Sequence, residues 1–354
     1  MCISRQNIIY KPHDSVPLPP PDFNSFYYKG NRKYINPSSV IPVDDDEFDR
    51  IQQQHIIYYN VWGNHFSAPV NELLTTEGTK VLDVGCGPAM WILEMASLYP
   101  KSRFTGVDIV PTYPIHTKPL NVEFLQANII KNGLPYEDNT FDYVFCRLVN
   151  FSYTIKDWKV VINEICRVCK IGGYVEFMEK DVKFDIKNEY TKKVFSRFIK
   201  NLQKRNIEPI ISSKIEQYIK ETNNFPLINH EKRDVPTGEW GDNKNDTFKI
   251  GKNNNGIIKW GAENIKNIMI EDGDYDEKEW YPIVNNFMKE LEEQHIYDNI
   301  HRIFAKKETE SKEICECREC RPPQSTRQLE HLSSTGLFFK FKYQRFKKFI
   351  KNFA

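Results

Sequence analysis

The sequence has almost no net charge: 49 Lys and Arg stand against 48 Asp and Glu, leaving +1 over 354 residues. That balance removes the broad electrostatic attraction on which bulk nucleic-acid or anionic-membrane binding rests. Long apolar runs are missing too, and none approaches the roughly 20 residues that a membrane helix needs. The opening residues MCISRQNIIYKPHDS contain no apolar h-region, so they do not read as a secretory signal. Cysteine is sparse, with eight in the chain. Cys2, Cys86, Cys146, Cys166 and Cys169 are scattered through the expected core and termini, which suits a reducing compartment. The cytoplasm or the nucleus is the expected location. At 40% hydrophobic residues the chain has enough apolar material to bury a full core.

What is present is concentrated between Lys80 and Asp108, KVLDVGCGPAMWILEMASLYPKSRFTGVD. It reads as a buried strand (Val81–Val84), a glycine turn, a helix over about Ala89–Leu98 and a second strand (Phe104–Val107) that ends in an acid. Gly85 and Gly87 allow a sharp turn and a close approach of ligand to bare backbone. Asp108 lies 21 positions after Gly87, where a carboxylate accepts hydrogen bonds from ribose hydroxyls. One glycine is absent. Pro88, Ala89, Met90 and Trp91 follow the turn, whereas a dinucleotide site uses a further glycine so that the pyrophosphate can sit on the helix N-terminus. Trp91 and Ile92 are expected to be bulky where that approach would occur. The ligand reads as a nucleoside without phosphates, carrying a chargeable tail.

The rest of the chain alternates in the same style. NVEFLQAN (Asn121–Asn128) and Tyr143–Cys146 read as the third and fourth strands. Asp157–Lys170 is an amphipathic helix, followed by a fifth strand over Tyr174–Glu179. Strands alternating with helices predict a parallel, doubly wound α/β sheet. Helices are expected over Asn188–Gln203, Glu208–Glu221, Asp246–Ile270 and Glu277–Gln294, with further strands in Asn224–Pro236 and Asn299–Lys307. The proline-rich residues 1–46 are expected to form a flexible extension. Within them FYYKGNRKYI (Phe26–Ile35) either packs on the core or is a sticky tail. Residues 47–307 form the expected main domain, with a ligand-binding core over 78–180 and a cover over 181–307. Residues 308–354 form an expected disordered tail.

The D-V-G-C-G-P turn, the G-V-D at the end of the second strand, and the later landmarks GLPYEDNTFDYV and RVCKIGGYVEF resemble the class I S-adenosylmethionine-dependent methyltransferases over about Val81–Glu179. Shorter matches (Gln52–Val70, EMASLYP and VPTGEWG) resemble a fungal branch of that superfamily that includes regulators of secondary metabolism. The resemblance implies a mostly parallel, seven-stranded Rossmann-like sheet with a helical cover, whose last strand runs antiparallel. It implies S-adenosylmethionine as cofactor and transfer of its methyl group to an unidentified small molecule or protein. Asp83 would face the cofactor's ammonium, directly or through water. Gly85, Cys86 and Gly87 would pass beneath its ribose and methionine parts, Asp108 would hold the ribose and Ile109 would pack on the adenine. Asn128 either sits near the adenine amino group or is a turn residue. Cys146 and Arg147 would face the methionine end, or Arg147 caps a carboxylate of the sheet. The rival readings are a cofactor-binding regulatory or partner subunit without transfer and, against the missing glycine, an NAD-dependent oxidoreductase.

No residue is assigned to catalysis, because the cofactor brings the activated methyl and the protein chiefly positions the reactants. His65 and Glu179 are bases by chemistry alone. Trp62, His65, Phe66 and Tyr153 are aromatic groups near the core that could cover a cation, though packing is the better reading of each. Cys166-x-x-Cys169 reads as buried structural cysteine. Cys315, Cys317 and Cys320, with His331, lack a second cysteine pair, so no metal is assigned.

Overall fold

The computed structural model describes residues 26–240, 247–271, 273 and 275–308. Part of the expected extension is ordered. Strands β1 (Tyr27–Lys29) and β2 (Arg32–Tyr34) form an antiparallel hairpin, and Tyr34 and Val40 are fully buried. The aromatic-basic piece therefore packs. Helix α1 (Asp45–Trp62) starts where Asp44 accepts from the Glu47 amide, with three acids in its first turn. Both features suit the positive end of a helix. It stops at Gly63, which takes the left-handed conformation at φ 70°. Helix α2 (Asn71–Thr75) leads into the sheet.

Strand β3 (Lys80–Val84) is buried at four of its five positions, as expected of a parallel strand covered on both faces. It is followed by α3 (Met90–Leu98), β4 (Arg103–Asp108), β5 (Val122–Gln126), α4 (Ile129–Asn132), β6 (Phe141–Arg147), α5 (Ile155–Val168) and β7 (Cys169–Lys180). Thr154 and Asp157 form a reciprocal capping box at the start of α5. Beyond the sheet's parallel half come α6 (Glu189–Lys204), α7 (Ser212–Glu221), β8 (Ile228–Pro236), α8 (Thr247–Asn264), α9 (Lys266–Glu271), α10 (Glu277–Glu293) and β9 (Tyr297–Lys306).

The seven strands run β5-β4-β3-β6-β7-β9-β8. β9 pairs antiparallel with both β7 and β8, and the five strands from β5 to β7 are parallel. The expected doubly wound, mostly parallel seven-stranded sheet is present. Chain order reverses between β3 and β6, so a crevice opens at their carboxyl ends, where α/β sheets bind ligands. A buried carboxylate fixes the approach to β3: Glu176 accepts from the amides of Ser67 and Ala68 and from the Tyr143 hydroxyl. The helices of the cover share a core of their own, in which Val40 joins Leu202, Ile268, Trp280, Val284 and Leu291.

Cys166 lies in the last turn of α5 and Cys169 opens β7, so the pair does not share the helix expected over Asp157–Lys170; both thiols are buried and free. Among the described residues, no helix is long and apolar enough to cross a membrane. Cys315, Cys317, Cys320 and His331 lie outside the described residues.

Candidate functional site

The glycine turn is built by hydrogen bonds that its residue types permit. Gly85 sits at φ 71° and Gly87 at φ 51°, conformations costly to residues with a Cβ. The Gly85 and Cys86 amides both donate to the Val107 carbonyl, at 2.8 and 3.1 Å. A Cβ on Gly85 would meet Val149 Cγ1 at 2.7 Å, whereas the space before Gly87 is open. The Gly87 amide donates to Asp108 Oδ2 at 2.8 Å, and the Val110 amide to Oδ1 at 2.9 Å. Asp108 thereby ties the turn to the end of β4. Each oxygen uses one of about two acceptor positions, which leaves capacity for two hydroxyl donors. Burial raises the Asp108 pKa, and the amides of Val110, Gly87 and Ile109 hold it down.

Around this turn lies a cleft of about 430 Å³. Gly85, Cys86, Gly87, Asp108, Ile109, Asn128 and Arg147 all line it. The strap after the hairpin, including Ile41 and Val43, forms another wall. Two of the residues grouped with these from the sequence do not line the cleft. Cys146 is fully buried in the core beside Leu82 and Phe177; adjacent strand residues point to opposite faces, so it cannot share the outlook of Arg147. Asp83 lies beneath the turn, 1% exposed, and its Oδ1 has no hydrogen-bond partner. Burial pushes its pKa up to about 7; the Arg147 charge opposes this and Asp108 adds to it.

Asn128 lines the cleft while its Oδ1 accepts from the Ile130 and Lys131 amides as the cap of α4. The turn reading of this residue is thus realised, and the oxygen that would meet an adenine amino group is already engaged. Trp91 departs from expectation. Its ring is 2% exposed, stacks on Phe145 at 4.1 Å and donates to the His65 carbonyl. Its bulk lies in the core, and Met90 lines the cleft instead. The turn is instead shaped by Ala89, the residue before α3, in a left-handed conformation with no side-chain cap.

Of the four aromatic candidates only Tyr153 lines the cleft. Trp62 lies under the guanidinium groups of Arg302 and Arg233, and Phe66 belongs to the core. His65 stands 3.6 Å from Glu94, and burial drives its pKa down to about 4. No motif marks the chain of side chains that runs from the cleft wall inward. Arg147 Nη1 lies 2.8 Å from His55 Nδ1, and His55 Nε2 lies 2.9 Å from Glu94 Oε2. Burial lowers the pKa of His55, and Arg147 lowers it further. A neutral His55 whose Nε2–H donates to Glu94 accepts from Arg147 at Nδ1, which fixes the guanidinium at the cleft.

A buried unpartnered acid oxygen, a glycine without side-chain obstruction and a carboxylate with spare acceptor positions suit a ligand that carries a cation and a ribose. Residues 81–173 match the family described as "Methyltransferase domain". The chain is 31% identical over 144 residues to the secondary metabolism regulator laeA of Coprinopsis cinerea, covering 40% of this chain and 35% of that protein. It is 27% identical over 228 residues to the methyltransferase pytC of Aspergillus terreus, covering 61% and 67%. Among solved structures, a phosphoethanolamine N-methyltransferase of Haemonchus contortus superposes with a TM-score of 0.41 at 18% identity, over 75% of this chain and 60% of that one.

Proposed function

We propose, from the premise that this chain carries a class I S-adenosylmethionine-dependent methyltransferase domain, that the cleft at the carboxyl ends of β3 and β4 holds the cofactor and that the protein transfers its methyl group. The observation that carries the reading is the Asp108–Gly87 arrangement: a half-buried carboxylate with spare acceptor positions beside an open glycine. S-adenosylmethionine supplies an activated methyl on a sulfonium, so the demands on the protein are binding, orientation and exclusion of water.

In this reading Asp108 accepts from the ribose hydroxyls, and Ile109 covers one face of the adenine. Gly85, Cys86 and Gly87 let the backbone run beneath the nucleoside. Asp83, beneath the turn and off the cleft wall, supplies negative charge to the ammonium through water, and Arg147, held by His55, lies at the cleft wall towards the methionine end. Residues 47–307 constitute the working domain, with the preceding strap as one wall of the cleft. The acceptor is a small molecule or a protein, and the proposed location is the cytoplasm or the nucleus.

A second reading has one observation in its favour, the similarity to a protein named as a regulator: the chain binds cofactor and acts through a partner. One assay separates the two. The full chain is incubated with methyl-deuterated S-adenosylmethionine and fractionated small-molecule and protein pools, and S-adenosylhomocysteine formation is followed by mass spectrometry. Formation of S-adenosylhomocysteine with a deuterated product supports transfer. Tight cofactor binding with no product in any pool supports the regulatory reading, and no cofactor binding overturns both.

A further inference from the structure

Behind the cleft lies a second cavity of about 180 Å³, walled by the cover helices. Ile41, Arg50, Gln54, Leu148 and Phe151 line both spaces, so the two adjoin. Its wall is largely apolar: aliphatic side chains such as Ile257, Ile265 and Val284 surround a cluster of aromatic rings. Phe195 of α6 and Phe287 of α10 face each other in parallel at 6.2 Å, and Phe184 meets both edge-on at 5.5 and 5.6 Å. Few polar groups interrupt this surface, and two of them have no partner. Asn150, which follows β6 and is 4% exposed, has no hydrogen bond at Oδ1 or Nδ2. Trp280 Nε1 is likewise unpartnered. Glu179 lines the same wall, and its Oε1 accepts from the Val149 amide at 2.8 Å.

A buried amide left without partners costs on the order of 1–3 kcal/mol, and native interiors rarely tolerate it. A dry apolar cavity of ~150 Å³ accommodates a benzene-sized body. This one is slightly larger and adjoins the cleft at Leu148 and Phe151. We infer that the cavity is the methyl-acceptor site and takes a small molecule with one aromatic ring, or an apolar body of that size, whose single hydroxyl or amine is recognised by Asn150. The inference rests on the methyltransferase reading above.

The test uses 4-ethylphenol and its deoxy counterpart ethylbenzene, titrated into the full chain saturated with S-adenosylhomocysteine. Wild-type protein should bind the phenol about tenfold more tightly than ethylbenzene, the value of one satisfied hydrogen bond. Asn150→Leu should abolish that preference while S-adenosylhomocysteine affinity stays within about twofold. Phe195→Trp, which fills the cavity, should weaken both probes about tenfold or more, and it keeps the test decisive if Asn150→Leu does not fold. Equal binding of the two probes to wild type would mean that Asn150 is satisfied by a buried water, which overturns the inference. Probe binding indifferent to both variants overturns it as well. Failure of wild type to bind S-adenosylhomocysteine at all would instead remove the parent reading.

Discussion

The cleft and the cavity share five wall residues, yet they are built in opposite ways. The cleft has walls from Ile35 to Ile207, but the part proposed to hold the cofactor is made of short consecutive runs: Gly85, Cys86 and Gly87 in one turn, Asp108 and Ile109 at one strand end. Its chemistry is charge and bare backbone. The cavity is made of residues scattered from Ile41 to Phe287, brought together by packing of the strap and four cover helices, and its chemistry is apolar surface with an aromatic cluster. A cofactor common to many enzymes imposes one local arrangement, whereas an acceptor site needs only a shape. This contrast explains why one site carries a motif and the other does not.

The largest effect should fall on the cleft alone. Asp108→Asn keeps the side chain's shape but trades a charged acceptor for an amide, and two hydroxyl hydrogen bonds to a charged group are worth about 3 kcal/mol or more together. S-adenosylhomocysteine affinity should fall about 100-fold, measured by calorimetry, with 4-ethylphenol binding unaffected. Phe287→Ala should do the reverse. It should cost about 2 kcal/mol of stability in denaturant unfolding, since the ring is partly buried and large-to-small changes leave a void, with cofactor affinity held within about twofold. If either variant damaged both sites equally, the separation of the two would be wrong.

Two smaller effects concern protons. Asp83, raised to about 7 by burial, is mostly protonated at pH 6. An ammonium beside it favours the carboxylate, so cofactor binding at pH 6 should release a proton and at pH 8 should not. Calorimetry in buffers of different ionisation enthalpy reads this directly, and Asp83→Asn should remove the difference. Glu179 is raised to about 8 by burial, against the amides of Val149, Asn150 and Lys180. The folded state therefore holds a proton that the unfolded chain has lost. The stability from this group is complete below about pH 4.5 and fades as pH rises towards about 8. Wild-type stability relative to Glu179→Gln should decline across that window in thermal unfolding followed by circular dichroism; a flat difference would mean that Glu179 is ionised throughout.

Much of the parallel half of the fold was legible because buried strands, glycine turns and capped helices are local events. The order of β9 before β8 was accessible only through resemblance, since nothing local distinguishes an inserted antiparallel strand. Within the cleft, Gly85, Gly87 and Asp108 were legible from spacing. Cys146 was misjudged because a strand's alternation, not its sequence neighbourhood, decides which face a side chain takes. Trp91 was misjudged for a related reason: bulk near a turn says nothing of direction, and the ring turned into the core to stack on Phe145. The Arg147–His55–Glu94 chain joins three elements 92 and 39 residues apart, a separation that no sequence pattern encodes. Asn150 carried no signal at all, because its lack of partners is a property of the packed interior.

The central claim is that the Asp108–Gly87 arrangement holds S-adenosylmethionine. Calorimetric titration of S-adenosylhomocysteine into wild type and Asp108→Asn tests it most directly. Binding to wild type should be saturable and one-to-one, and weakened about 100-fold in the variant. Equal affinity in the two proteins, or no binding to wild type, would contradict it.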